Sequence, residues 1–134
     1  MAALTLSGKL YHQHYNGSID SEKVIAGLKH FGQHIHGIWI LIWDGAGTHK
    51  SKLTKAFLAD HPEIVFEPMP AYASEVNPEE YCHGNVMQRL KNATPCSVAE
   101  IRKNIDRGFA RLRRRPDMLL GFIHKAGLVV KQLW

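Results

Sequence analysis

Cysteine is scarce in this sequence: among 134 residues only Cys82 and Cys96 carry a thiol. Two cysteines with no CxxC spacing support neither a disulfide scaffold nor a zinc finger, and they suit a reducing cytosol. Long apolar runs are missing too. The longest, Ile38–Trp43, has six residues, against the ~20 that a membrane helix needs. Near Met1 no charged stretch leads into an apolar segment and a small-residue cleavage site, so no secretory signal is visible. Internal repeats, low-complexity segments and obvious linkers are also absent. A membrane protein, a collagen-like chain and a secreted disulfide knot are therefore excluded, and a cytoplasmic protein without a membrane partner is expected.

What is present has a globular balance, 45% hydrophobic and 22% charged residues, in a length that suits one domain of ordinary size. The net charge of +5 is unevenly spread. Arg102, Lys103, Arg107, Arg111, Arg113, Arg114 and Arg115 crowd one stretch whose only acid is Asp106. Such a cluster attracts phosphate and favours nucleic acid or an anionic surface, although a solvated helix face would look the same.

Along the chain, Leu4-Thr5-Leu6 and Lys9–His12 read as short strands about a Ser-Gly turn. Ser18 to Asp20 offer capping side chains for a helix carrying Val24, Ile25, Leu28 and Phe31, ended by Gly32. Ile38–Trp43 is apolar without alternation, the pattern of a central strand covered on both faces. It ends at Asp44. Ser51 caps a short helix expected to turn Leu53, Ala56 and Phe57 inward, and Ile64–Phe66 is a second apolar strand, which makes a βαβ unit. Asn77-Pro78 is a helix start. Val98, Ile101, Ile105, Phe109 and Leu112 then keep helical spacing up to Pro116, and a short apolar helix follows from Met118 to about Lys125. The expected organisation is one α/β domain over residues 1–127 and a tail over 128–134.

Two carboxylates stand out. Asp44 is the first polar residue beyond an apolar strand, at its carboxyl end, where α/β sheets gather ligands. Glu80 falls in the first turn of the helix opened by Asn77-Pro78. Acids on rigid elements suit hard divalent cations, and two such ions ~3.5–4 Å apart support phosphodiester chemistry. The same residue types also suit a turn and a helix dipole.

These residues carry a family resemblance. Trp43-Asp44-Gly45-Ala46-Gly47-Thr48-His49-Lys50-Ser51 resembles the strand-end D-N-A-x-x-H-x-S of mariner-type insertion-sequence DDE transposases, and Met69–Glu80 resembles their L-P-P-Y-S-P-x-L-N-P-I-E. Order and separation match as well, with thirty-five residues between Asp44 and Glu80. The resemblance covers about Leu4 to Gly127. It implies an α/β fold of ribonuclease-H-like type, a mixed sheet with flanking helices. It also implies Mg²⁺ or Mn²⁺ held by Asp44 and Glu80 as second and third catalytic acids, and cleavage and transfer of DNA at transposon ends and target. His49 and Ser51 match positions beside the second acid, and His49 and Lys50 join Arg107, Arg111, Arg113, Arg114 and Arg115 as candidate phosphate contacts.

Departures from the pattern qualify the implied activity. Gly45 replaces an Asn, His83 a Trp and Gln88 a Lys, as in a divergent member. The strand bearing the family's first acid has no counterpart, and Asp20 sits where a helix cap is expected. The chain alone is thus expected to be inactive in strand transfer. It reads either as a remnant or as the downstream frame of a split transposase, completed by an upstream polypeptide or by self-association. The alternative is a non-catalytic basic module that binds nucleic acid or inhibits an intact transposase. Gly45-Ala46-Gly47 fits neither a dinucleotide fingerprint nor a P-loop. His30, His34 and His36 lack the acid or Cys that would complete a tetrahedral site.

Overall fold

The computed structural model describes Met1–Leu128, so the expected tail lies, apart from Leu128, outside the described residues. The chain divides into two compact units, one of Met1 and Gln13–Ala73, the other of Ala2–His12 and the chain from Ser74 onward. Each holds a two-stranded sheet. Where the resemblance implies one mixed sheet, the described residues thus form two small ones.

In the first unit, α1 (Ser21–Gly32) begins at Asp20, whose side chain accepts the Lys23 N–H at 2.9 Å. That bond, first among the causes, holds the Asp20 carboxyl below its usual range. Asp20 is thus occupied as a cap. Strand β3 (Trp39–Trp43) and β4 (Ile64–Pro68) pair in parallel, Trp39 opposite Ile64 and Trp43 opposite Pro68. Helix α2 (Lys52–Ala59) is the crossover between them, as the βαβ reading expects. Trp43, Val24 and Leu28 form the core, with Trp39, Leu41, Phe57 and Leu58 packed around it.

Two expectations fail here. β3 is covered on one face only, since Ile38, Ile40 and Ile42 are exposed while Trp39, Leu41 and Trp43 meet the core. The period of two in a strand sends alternate side chains to opposite faces, and the described helices of this unit cover one of them. In α2, Leu53 and Ala56 are exposed, and the inward stripe is Thr54, Phe57 and Leu58. Thr54 takes the buried place because its hydroxyl is satisfied, donating to the Thr48 carbonyl at 2.7 Å.

In the second unit, β1 (Ala2–Leu4) and β2 (Leu10–His12) form an antiparallel hairpin. Three helices follow: α3 (Pro78–Ala93), α4 (Val98–Arg113) and α5 (Pro116–Lys125). Asn77 caps α3 by accepting the Glu79 N–H at 3.1 Å, and Ser97 caps α4 by accepting that of Glu100 at 3.1 Å. Leu10, Cys82, Val86, Phe109, Leu112 and Leu119 make the buried core. The stripe read for α4 is thus its packed face, except that Val98 is 68% exposed.

α3 and α4 approach closely at Gly108. A Cβ built there would lie 2.9 Å from Val86 Cγ1, a branched side chain with no room to swing away. Gly108→Ala is expected to destabilise by about 1–3 kcal/mol despite alanine's better helix propensity. Adding Val86→Ala should return part of the loss. Urea unfolding of the two single variants and the double variant checks this, and strictly additive losses would count against the contact.

Candidate metal centre and nucleic-acid interface

Asp44 belongs to the first unit and Glu80 to the second, and each is described in its own surroundings. Asp44 follows the last residue of β3, a position fixed by the Met69 N–H bond to the Trp43 carbonyl at 2.9 Å. The loop then folds back on the carboxylate. Oδ1 accepts the Ala46 N–H at 3.0 Å and lies 2.9 Å from His49 Nδ1. The His49 ring is stacked flat on Trp43, with centroids 4.0 Å apart. Its backbone N–H also bonds the Ala46 carbonyl at 3.0 Å. The imidazole is therefore held in place and holds the acid in place, as partners behind a ligating carboxylate do. Asp44 Oδ2 has no hydrogen-bond partner among the described residues, and the side chain is exposed.

Behind this loop, Ser51 accepts the Thr54 N–H at 3.1 Å and caps α2. Ser51 thus shapes the loop rather than facing a ligand. Lys50 Nζ reaches back over Gly45, where a Cβ would stand only 3.0 Å away. The ammonium is the far end of a flexible, exposed side chain that can move aside, so this approach does not by itself require glycine; it brings one cation beside the residue after Asp44.

Glu80 lies in the first turn of α3, exposed, with its N–H on the Asn77 carbonyl at 3.2 Å. Its carboxylate makes no hydrogen bond or ion pair among the described residues. Glu79 beside it behaves differently. Burial, followed by the charge of Glu80, pushes the Glu79 carboxyl up to about 7. Burial, and then Glu79, pushes the Cys82 thiol up to about 12, so that cysteine is an inert core group.

The basic stretch has divided duties. Arg113 donates from Nε to the Leu10 carbonyl at 2.9 Å and also meets His12 Nδ1. His12 in turn stacks on Phe109 at 4.4 Å, and its Nε2 lies 2.8 Å from Asp106. Arg115 is bound to Asp117 at 3.0 and 2.7 Å. Arg111 bonds Asn85 of α3, while Arg107 on α4 and Arg114 just beyond its end are exposed. The His12–Asp106–Arg113 chain tying β2 to α4 was not legible beforehand, because residues so far apart carry no spacing signal. Among the described residues, no acid or thiol joins His30 and His34, whose rings are 5.4 Å apart, in a metal-ligand group.

An α/β chain with an oxygen-donor acid at a parallel strand end, a second in a helical first turn and an arginine-rich helix has the parts of a metal-dependent nuclease. Residues 1–102 match the family of DDE superfamily endonucleases, well over half of the chain, and the chain belongs to that family. Both Asp44 and Glu80 fall within the matched stretch. DNA is the substrate class that this family implies, and divalent ions are its general requirement. No curated protein matches the chain. No described helix is long and apolar enough to cross a membrane.

Proposed function

We propose that the chain supplies two carboxylates, Asp44 and Glu80, to a Mg²⁺- or Mn²⁺-dependent site for DNA strand cleavage and transfer. The assignment is to a transposase of the mariner-type insertion-sequence group with a ribonuclease-H-like catalytic domain. The supporting observation is Asp44 itself. It stands at the carboxyl end of a parallel strand, Oδ1 is fixed by the Ala46 N–H and His49, and Oδ2 has no partner among the described residues. Both acids offer hard oxygen donors, which fits Mg²⁺ or Mn²⁺ and not a thiolate-loving metal. When bound, the ion polarises a phosphodiester and makes water a stronger nucleophile at neutral pH.

The residues of the chain then orient and attract. His49 and the Ala46 N–H set the Asp44 carboxylate, the α3 helix sets Glu80, and Lys50 and the arginines of α4 draw in phosphate. Two acids fall short of the three that the transposase mechanism uses. On this reading residues 1–134 are inactive in strand transfer unless a third acid is supplied to them. The second reading, a basic nucleic-acid-binding module without catalysis, draws on the arginines of α4.

Mn²⁺ binding followed by electron paramagnetic resonance separates the two readings. Asp44→Asn and Glu80→Gln should each weaken binding at least ~10-fold, and a nicking assay on the chain alone should show no turnover. Unchanged Mn²⁺ affinity in both variants would leave the binding module as the better account. Nicking that disappears in Asp44→Ala would overturn the claim of inactivity.

A further inference from the structure

One group of cations in the second unit has no acid to balance it. Arg111 is half-buried and directed across to α3, where its Nη2 donates to Asn85 Oδ1. Arg89 lies one helical turn beyond Asn85 on the same face of α3, and Arg107 lies one turn before Arg111 on the same face of α4. The close approach of the helices at Gly108 and Val86 draws these two rows together. Among the described residues, Arg89, Arg107 and Arg111 have no ion pair with any carboxylate. The nearby acids are taken: Asp106 by His12, Asp117 by Arg115, and Glu100 by the Cys96 N–H at 2.9 Å. Burial, then the charges of Arg89 and Arg115, lowers the Arg111 pKa, so the repulsion is felt where the helices meet.

Like charges held together by a rigid helix pair cost stability unless an anion shares the site. Guanidinium groups match a phosphodiester in both charge and fork geometry. Asn85 uses its side-chain oxygen to hold Arg111 in position, which fixes that fork before anything binds.

We propose that Arg89, Arg107 and Arg111, with Asn85 as the positioning residue, form a clamp for the phosphate backbone of duplex DNA across α3 and α4. This deepens the reading of the chain as a DNA-processing protein and rests on it for the choice of anion. The location adds something new. Arg89 is nine positions after Glu80 on α3, which at ~100° per residue places them about 180° apart around the helix. On α3 the clamp's Arg89 therefore lies on the face opposite Glu80. DNA binding here is separable from the metal.

The test is fluorescence anisotropy of a labelled 20-base-pair duplex against the full chain in EDTA, over a series of salt concentrations. Arg89→Ala with Arg111→Ala should weaken binding at least ~10-fold at low salt and reduce the log–log salt slope by about 2. Arg89→Lys with Arg111→Lys keeps both charges and should keep the slope. Lys29→Ala, on α1 of the first unit, should leave the slope unchanged. An alanine pair that binds like the parent overturns the clamp. So does a lysine pair that loses the slope as the alanine pair does, because the loss would then come from altered folding and not from charge. Loss of Mn²⁺ binding by the acids with no change in the slope, or the reverse, shows which of the two proposals has failed.

Discussion

Glu79→Gln is expected to stabilise the second unit by about 3 kcal/mol at pH 8 and to have no effect at pH 4. The carboxyl is raised in the fold from 4.5 to about 7, chiefly by burial and then by Glu80. Such an acid binds its proton more tightly folded than unfolded. The wild-type chain therefore loses stability as pH climbs from about 4.5 to about 7, and above that the full penalty of a buried charge applies. Glutamine has nothing to ionise, so the variant should show a flat profile over the same interval. Urea unfolding at pH 4, 6 and 8 without divalent ions measures the difference. Parallel profiles for the two proteins would mean that Glu79 ionises as freely in the fold as in the open chain.

Leu112→Ala should cost about 3 kcal/mol, within the range for a leucine removed from a closed core. Leu112 is fully buried among Leu10, Val86, Phe109 and Leu119. Val98→Ala on the same helix should change stability by less than ~0.5 kcal/mol, because Val98 is 68% exposed. The comparison matters because both residues belong to one helical stripe in the sequence. Equal losses in denaturant unfolding would mean that the first turn of α4 is packed after all.

That pair also shows how far sequence reasoning reached. The spacing Val98-Ile101-Ile105-Phe109-Leu112 defines α4 correctly, since helical periodicity is local. Which end of the stripe is covered depends on where α3 and α5 lie, and no periodicity encodes that. β3 posed the opposite problem. Its unbroken apolar run concealed an alternation, and Ile38, Ile40 and Ile42 proved to be on the exposed side. The positions of Asp44 after a strand and Glu80 in a first helical turn were legible because strand ends and N-caps have local signatures. Asn85 and Arg89 were not. They gain meaning only from Arg111, twenty-six residues beyond Asn85 on another helix, and a contact of that kind exists only once the chain has folded.

The route of the chain has a practical consequence. Residues Gln13–Ala73 interrupt the stretch that builds the second unit, whose hairpin precedes them and whose helices come after. Leu10 waits for Phe109 and Leu112, about a hundred residues downstream, before its core can close. During synthesis the hairpin must therefore stand idle until Phe109 and Leu112 have left the ribosome. A cut at Ala73 would orphan it from its helices, whereas excising the insert and rejoining His12 to Ser74 through a short glycine linker is the dissection that respects the architecture.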